Sequence, residues 1–124
     1  MRRYDPLKAP PRDAWLAMDE QERIALVVAY HAKQRIRLPN PQAHALFHVI
    51  VENQLAEELH DAVEALERLI REGLDRHDAV HAIANVVVRH LHSILLNSVP
   101  KEDEQMRYLA DLRVLTAASR RRDV

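Results

Sequence analysis

Two pairs of histidines are spaced by four residues in stretches that carry few other polar side chains. His44 and His48 lie within residues 40–55 (NPQAHALFHVIVENQL), and His77 and His81 within residues 75–96 (DRHDAVHAIANVVVRHLHSILL). Positions i and i+4 share one face of a helix a turn apart, so each pair can present two imidazoles to a single ion. Glu52 extends the first row by another turn. The chemistry this set points to is coordination of a divalent transition metal, with His44, His48, His77, His81 and Glu52 as the candidate ligands. Four imidazoles suit Zn²⁺, Ni²⁺ or Cu²⁺, and adding Glu52 suits iron or manganese. A metal-dependent reaction on a small molecule is an expectation of the same set, although the spacing names no substrate. His31 and His92 also fall on apolar faces and are expected behind the ligands rather than among them.

A competing reading uses the same residues. Buried imidazoles on helices are commonly satisfied by carboxylates or carbonyls, because an unpaired buried polar group costs about 1–3 kcal/mol. The protein would then be a non-enzymatic helical interaction module, self-associating as a homodimer, with structural histidines. Other site chemistries are excluded by pattern. Of these four histidines only His81 has an acidic residue three positions before it, and that residue is Asp78, so the paired Glu-x-x-His motifs of a ferritin-like di-iron bundle are absent. HExxH, a serine-centred triad, a phosphate-binding loop and a dinucleotide fingerprint are absent too. The chain has no cysteine, which removes thiolate ligands, disulfides and thiol nucleophiles.

The elements that must position these residues are helices. The chain has 124 residues with one glycine, Gly73, and is rich in Ala, Leu, Val, Glu and Arg. Such a composition favours helix and leaves little turn chemistry for hairpins. The expectation is a single all-α domain spanning residues 1–124: a compact bundle of about five helices, two of them central and largely buried, at about 41–56 and 76–96. Both central stretches are apolar in every direction around the helix axis, as a buried helix is. Residues 1–12, rich in proline and charge, are expected as an extended arm, and residues 120–124 as a frayed basic tail. A short helix at 13–18 tucks in Trp15.

Asp19 with Glu22 forms a capping-box pattern for a helix over 20–36 whose stripe is Ile24, Val27, Val28 and His31. Asn40 followed by Pro41 is an N-cap with a proline at the first helical position. Residues 42–72 contain neither Gly nor Pro, yet a helix of about thirty residues is long for a small domain. The polar cluster Glu57, Glu58, His60 and Asp61 marks a break. Without it, His44 would stand roughly 40 Å from His77 at 1.5 Å per residue. With it, the helices starting near 41 and 76 are expected to run in the same direction, His44 level with His77 and His48 with His81. Gly73 ends the fourth helix in the left-handed region, with Leu74 as its apolar contact. Asp75 caps the next helix, which Asn97, Ser98 and Pro100 end, and a last helix over 101–119 shows the stripe Met106, Leu109, Leu112 and Leu115.

The pattern NPQAHALFHVIVENQLA, followed by LIREGLDRHDAVHAIA, resembles a family of small bacterial proteins, the domain of unknown function family 1841. The resemblance covers about residues 39–96. Its motif, Asn-Pro-x-x-His-x-x-x-His with a later Gln and then His-x-x-x-His, picks out Asn40, Pro41, His44, His48, Gln54, His77 and His81. In the family pattern an acidic residue directly precedes the glutamine. Here that place holds Asn53, and the carboxylate is Glu52. The resemblance supports the histidines and carries no reaction with it.

A net charge of −1 gives no overall attraction to nucleic acid or anionic lipid. Gly73 between two helices resembles the turn of a helix-turn-helix, but the helix after it is too apolar to lie in a DNA groove. The N-terminus lacks the apolar core of a signal peptide, and no apolar run is read as a membrane span. The expectation is a cytoplasmic protein that binds neither membrane nor nucleic acid.

Overall fold

A computed structural model describes residues 1–97 and 101–119, and the predicted helix end at Ser98 and Pro100 and the basic tail at 120–124 lie outside them. The described chain forms six helices: α1 (Arg12–Ala17), α2 (Glu20–Lys33), α3 (Pro41–Ala56), α4 (His60–Arg71), α5 (Arg76–Asn97) and α6 (Lys101–Val114). They pack into one all-α bundle, as the composition implies.

Local signals act where they are expected. Asp19 accepts from the Glu22 amide at 2.8 Å, and the Glu22 carboxylate accepts from the Asp19 amide at 3.1 Å, closing the capping box of α2. Asn40 accepts from the Ala43 amide at 3.1 Å, and Asp75 from the Asp78 amide at 2.8 Å. The break within 41–72 is real: α3 stops at Ala56, and α4 begins at His60.

Three helices end in the same way. The residue after the C-cap takes a left-handed backbone, and its successor donates back into the last turn: Ile36 to the His31 carbonyl at 3.0 Å, Leu59 to Gln54 at 2.9 Å, Leu74 to Leu69 at 3.1 Å. The left-handed position is glycine only in the third case, Gly73 at φ 108°. Arg35 and Glu58 adopt φ 57° and 58° and carry the Cβ penalty of that region. Substitution by glycine is therefore expected to have opposite signs at two equivalent sites. Glu58→Gly should gain about 0.5–1 kcal/mol, the relief of strain offset by a freer unfolded chain, whereas Gly73→Ala should lose about 1 kcal/mol. Urea denaturation of the two variants checks this. Because a Cβ at Gly73 meets nothing within 4 Å, its loss would be purely conformational.

Two apolar cores meet on α3. One joins Val51 to Ala62, Ala65 and Leu69 of α4, Val80, Ile83 and Val86 of α5, and Leu112 of α6. The other joins Ala45 and Val49 of α3 to Val27 of α2, Trp15 of α1 and Tyr4. A helix with a core on each side has no room for a wholly polar face, which is why α3 is apolar all round. Several ends are tied across the fold. Arg12 Nε donates to the Ala56 carbonyl at the end of α3 (2.6 Å), and Arg68 donates to the Leu112 and Leu115 carbonyls at the end of α6 (2.5 and 2.9 Å). In both cases a guanidinium satisfies carbonyls that a helix end leaves without partners.

Four expectations need correction. First, residues 1–12, expected as an extended arm, lie against the bundle, because Tyr4 and Pro6 are buried and Arg76 donates to the Pro6 carbonyl at 2.9 Å. Second, α6 ends at Val114, not 119, and its buried face is Glu104, Tyr108 and Leu112, with Leu115 buried just beyond it and Met106 exposed. Third, α5 is long and apolar enough to cross a bilayer by length and composition, contrary to the reading of no such run. In the bundle, however, its Val80, Ile83 and Val86 form the first core, and a core helix passes the same test. Fourth, α3 and α5 do not run in the same direction, although the expected pair of His48 and His81 does meet, with their Nε2 atoms 2.8 Å apart. Glu52, late in α3, meets Arg76 at the start of α5, while His44, early in α3, stacks on His81. Along the histidine face the contacts thus run in opposite senses. The parallel expectation assumed that α4 folds straight back between its neighbours, whereas α4 packs more on α5 and α6 than on α3.

Candidate metal centre

Three helices supply imidazoles to one buried spot. His31 comes from the last turn of α2, His44 and His48 from α3, and His77 and His81 from the first turns of α5. Ring centroids lie 4.9 Å apart for His44–His81, 4.8 Å for His48–His81, 4.4 Å for His77–His81 and 4.9 Å for His31–His48. His31, His44, His48 and His81 each offer one ring nitrogen, and these four atoms fall within 4.8 Å of one another, a group that could hold a metal ion. An ion bound at about 2.1 Å holds neighbouring donor nitrogens roughly 3 Å apart. His48 Nε2 and His81 Nε2, at 2.8 Å, already stand near that separation.

The hydrogen bonds fix which ring nitrogen is free. The His31 Nδ1 lies 2.9 Å from the Val27 carbonyl, which can only accept, so Nδ1 carries the proton and Nε2 the lone pair. The Tyr4 hydroxyl donates to Glu52 Oε2 at 2.5 Å, and its oxygen lies 3.1 Å from His48 Nδ1. With its single proton directed at Glu52, Tyr4 can only accept from His48 Nδ1–H, which again leaves Nε2 with its lone pair. Glu52 is anchored in turn by Arg76, whose two terminal nitrogens donate to its two oxygens at 2.9 and 2.8 Å. A carboxylate and an intervening hydroxyl thus set the orientation and tautomer of an imidazole, as groups behind a metal ligand do. Three ring nitrogens of these histidines, His31 Nε2, His44 Nε2 and His77 Nε2, are buried and have no hydrogen-bond partner.

The electrostatics keep the cluster neutral. Burial lowers every one of these histidines, and the neighbouring imidazoles lower most of them further. His44 falls to about 4 and His81 to about 3, while His48, the most enclosed and facing four other imidazoles, falls lower still. His31 is lowered by burial against the opposing pull of the Val27 carbonyl, and His77 by burial and His31 against Asp75, Asp78 and Asp5. At neutral pH the imidazoles are therefore uncharged, and none has to give up a net positive charge before it offers a lone pair to an ion. Burial opposes the Arg76 charge, but the hydrogen bonds and charge of Glu52 outweigh it, so the guanidinium is held above its ordinary value. The Tyr4 hydroxyl is pushed well above its ordinary value by burial and then by Glu52, so it remains a donor.

Of the residues expected from spacing, His44, His48 and His81 join the four-nitrogen group, and His77 packs beside it. Glu52 is near the cluster in another role: both its oxygens are engaged by Arg76 and Tyr4, and it stands outside the group. His31 moves from the supporting role expected of it into the group itself. His92 is exposed and takes no part. Tyr4 and Arg76 were missed. Tyr4 lies in a segment with no periodicity to read, and Arg76 resembles an ordinary charge in a first helical turn. Asn53, where the resemblance expects an acid, accepts from Trp15 Nε1 and Arg23 Nη1, each at 2.9 Å, and joins α1 and α2 to α3.

An open cleft of about 410 Å³ reaches the cluster and is lined by His44, His48 and His81 together with Leu38, Phe47 and Val88. No family model, curated protein or solved structure matches this chain.

Proposed function

We propose that the protein binds a divalent transition metal ion through His31, His44, His48 and His81, with His77 as a fifth imidazole, and presents that ion to the cleft as a reactive centre. The observation that carries this reading is the trio of buried Nε2 atoms on His31, His44 and His77 that no protein group satisfies. Each would cost about 1–3 kcal/mol if left unpaired, and a cation held by the four-nitrogen group offsets those of His31 and His44. An all-imidazole donor set favours Zn²⁺, Ni²⁺ or Cu²⁺, and the case for iron or manganese weakens because it rested on Glu52 as a ligand. Structural metal sites are closed by protein ligands, whereas catalytic ones keep a position open; the cleft against three of the histidines supports the second kind. The likeness to family 1841 belongs to this reading through Asn40 and the two histidine pairs, and a cytoplasmic location is proposed with it.

The test is equilibrium binding of Zn²⁺ to the metal-free protein by competition with a chromogenic chelator. One ion per chain is expected, with affinity lost in His31→Ala and His48→Ala. Tyr4→Phe removes the hydroxyl that aims His48 and should weaken binding about 10–100-fold while leaving one site per chain. Equal affinity in Tyr4→Phe and wild type would show that the hydroxyl does not position the ligand.

A second reading, self-association through an apolar surface, is favoured by Leu95, Leu96 and Met106, which are 77%, 70% and 71% exposed near the end of α5 and on α6. Sedimentation of wild type against Leu95→Glu distinguishes a dimer from a monomer and leaves the metal reading unaffected.

A further inference from the structure

The cleft differs from the cluster it reaches in one respect. Its lining contains no aspartate, glutamate, lysine or arginine; besides the three histidines its polar members are Asn40 and Asn85, both neutral. Leu38, Phe47 and Val88 supply apolar wall. The one carboxylate bonded into the histidine network, Glu52, is matched by Arg76 and directed away from the group. A divalent ion held by neutral imidazoles would therefore keep its full double charge, facing an uncharged and largely apolar space. Low polarity strengthens attraction for an anion and penalises any second charge that finds no partner.

We infer that the open side of this centre takes a monocarboxylate with an apolar body, its carboxylate on the metal ion and its hydrocarbon part against Leu38, Phe47 and Val88. The inference rests on the proposed metal binding and adds the class of ligand. One carboxylate bound to the ion cancels one of its two charges. A second carboxylate at the far end of the chain would lie against apolar wall with no cationic side chain in the lining to receive it, and a phosphate brings no hydrocarbon to that wall. Each methylene placed against the wall adds about 0.8 kcal/mol, roughly fourfold in affinity. Chain length should therefore be felt until the cleft of about 410 Å³ is filled.

The test uses the full chain loaded with Co²⁺, whose visible absorption responds to a change of ligand. Hexanoate, acetate, adipate and inorganic phosphate are each titrated. Hexanoate is expected to shift the spectrum saturably, and acetate, adipate and phosphate to bind at least about tenfold more weakly. Leu38→Asp places a like charge in the lining, in the loop before α3. It should weaken hexanoate about tenfold or more without reducing Co²⁺ uptake, and Leu38→Asn should bind hexanoate better than Leu38→Asp. Stoichiometric Co²⁺ with a spectrum that hexanoate does not move, or adipate or phosphate binding as tightly as hexanoate, overturns this inference and leaves the metal reading standing. Failure of the chain to take up Co²⁺, Zn²⁺ or Ni²⁺ overturns both.

Discussion

Replacing Arg76 by methionine is expected to cost about 3–5 kcal/mol of folding stability, the largest effect of any single substitution considered for this protein. The reason is what the change leaves behind. Glu52 is 1% exposed, and its two oxygens accept from the two terminal nitrogens of Arg76 at 2.9 and 2.8 Å. Without the guanidinium, a buried carboxylate keeps only the Tyr4 hydroxyl, and the Pro6 carbonyl loses the donor that holds the N-terminal segment down. The double variant Glu52→Gln/Arg76→Met removes the stranded charge and should recover most of the loss, because a matched buried pair contributes little net stability beyond what its separation costs. Urea denaturation of the two single variants and the double variant forms the cycle. Additive losses would mean that the two side chains do not act as a pair.

Acid is expected to unfold the metal-free protein well above the pH at which carboxylates alone would do so. The histidines of the cluster titrate near 6.5 in the unfolded chain. In the folded chain, burial and mutual repulsion hold His44 at about 4 and His81 at about 3, with His31, His48 and His77 lowered as well. Between these values the unfolded state binds more protons than the folded state, so stability falls as pH falls. The loss begins near 6.5 and continues until each folded-state value is passed, at about 4 for His44 and about 3 for His81. Each histidine that stays neutral contributes a slope of about 1.4 kcal/mol per pH unit, reduced where solvent reaches the cleft side. Against a typical total of about 5–15 kcal/mol, the joint slope of these groups moves the acid transition to higher pH. Circular dichroism of chelator-treated protein across pH 7 to 3 checks this. Stability unchanged from pH 7 to pH 4 would contradict the burial of neutral imidazoles.

How much of this was legible in the sequence varies with the range of the interaction. The caps at Asp19, Asn40 and Asp75, the break before His60 and the left-handed Gly73 are local. Each is decided within about four residues, and each stands where the pattern placed it. The two histidine pairs were equally local. What they meet was not. His31 enters the group because α2 packs along α3, a pairing that no single helix records. Glu52 has ligand chemistry and ligand spacing, yet Arg76, 24 residues later, claims it first. Tyr4 sits 44 residues before His48 in an irregular segment, where no periodicity marks a buried side chain. The sense of the α3–α5 contact failed for the same reason. It depends on where α4 finds its apolar partners, and the buried face Ala62, Ala65 and Leu69 fits α5 and α6 as well as it could have fitted α3.

The measurement closest to the central claim is the metal content per chain of protein equilibrated with a mixture of Zn²⁺, Ni²⁺, Cu²⁺, Fe²⁺ and Mn²⁺ and then passed through a desalting column, read by mass spectrometry of the elements. One equivalent of Zn²⁺, Ni²⁺ or Cu²⁺ in wild type, and less than a tenth of that in the variant with His31, His44, His48 and His81 all changed to alanine, is the predicted result. Wild type that retains no more metal than the variant would contradict it.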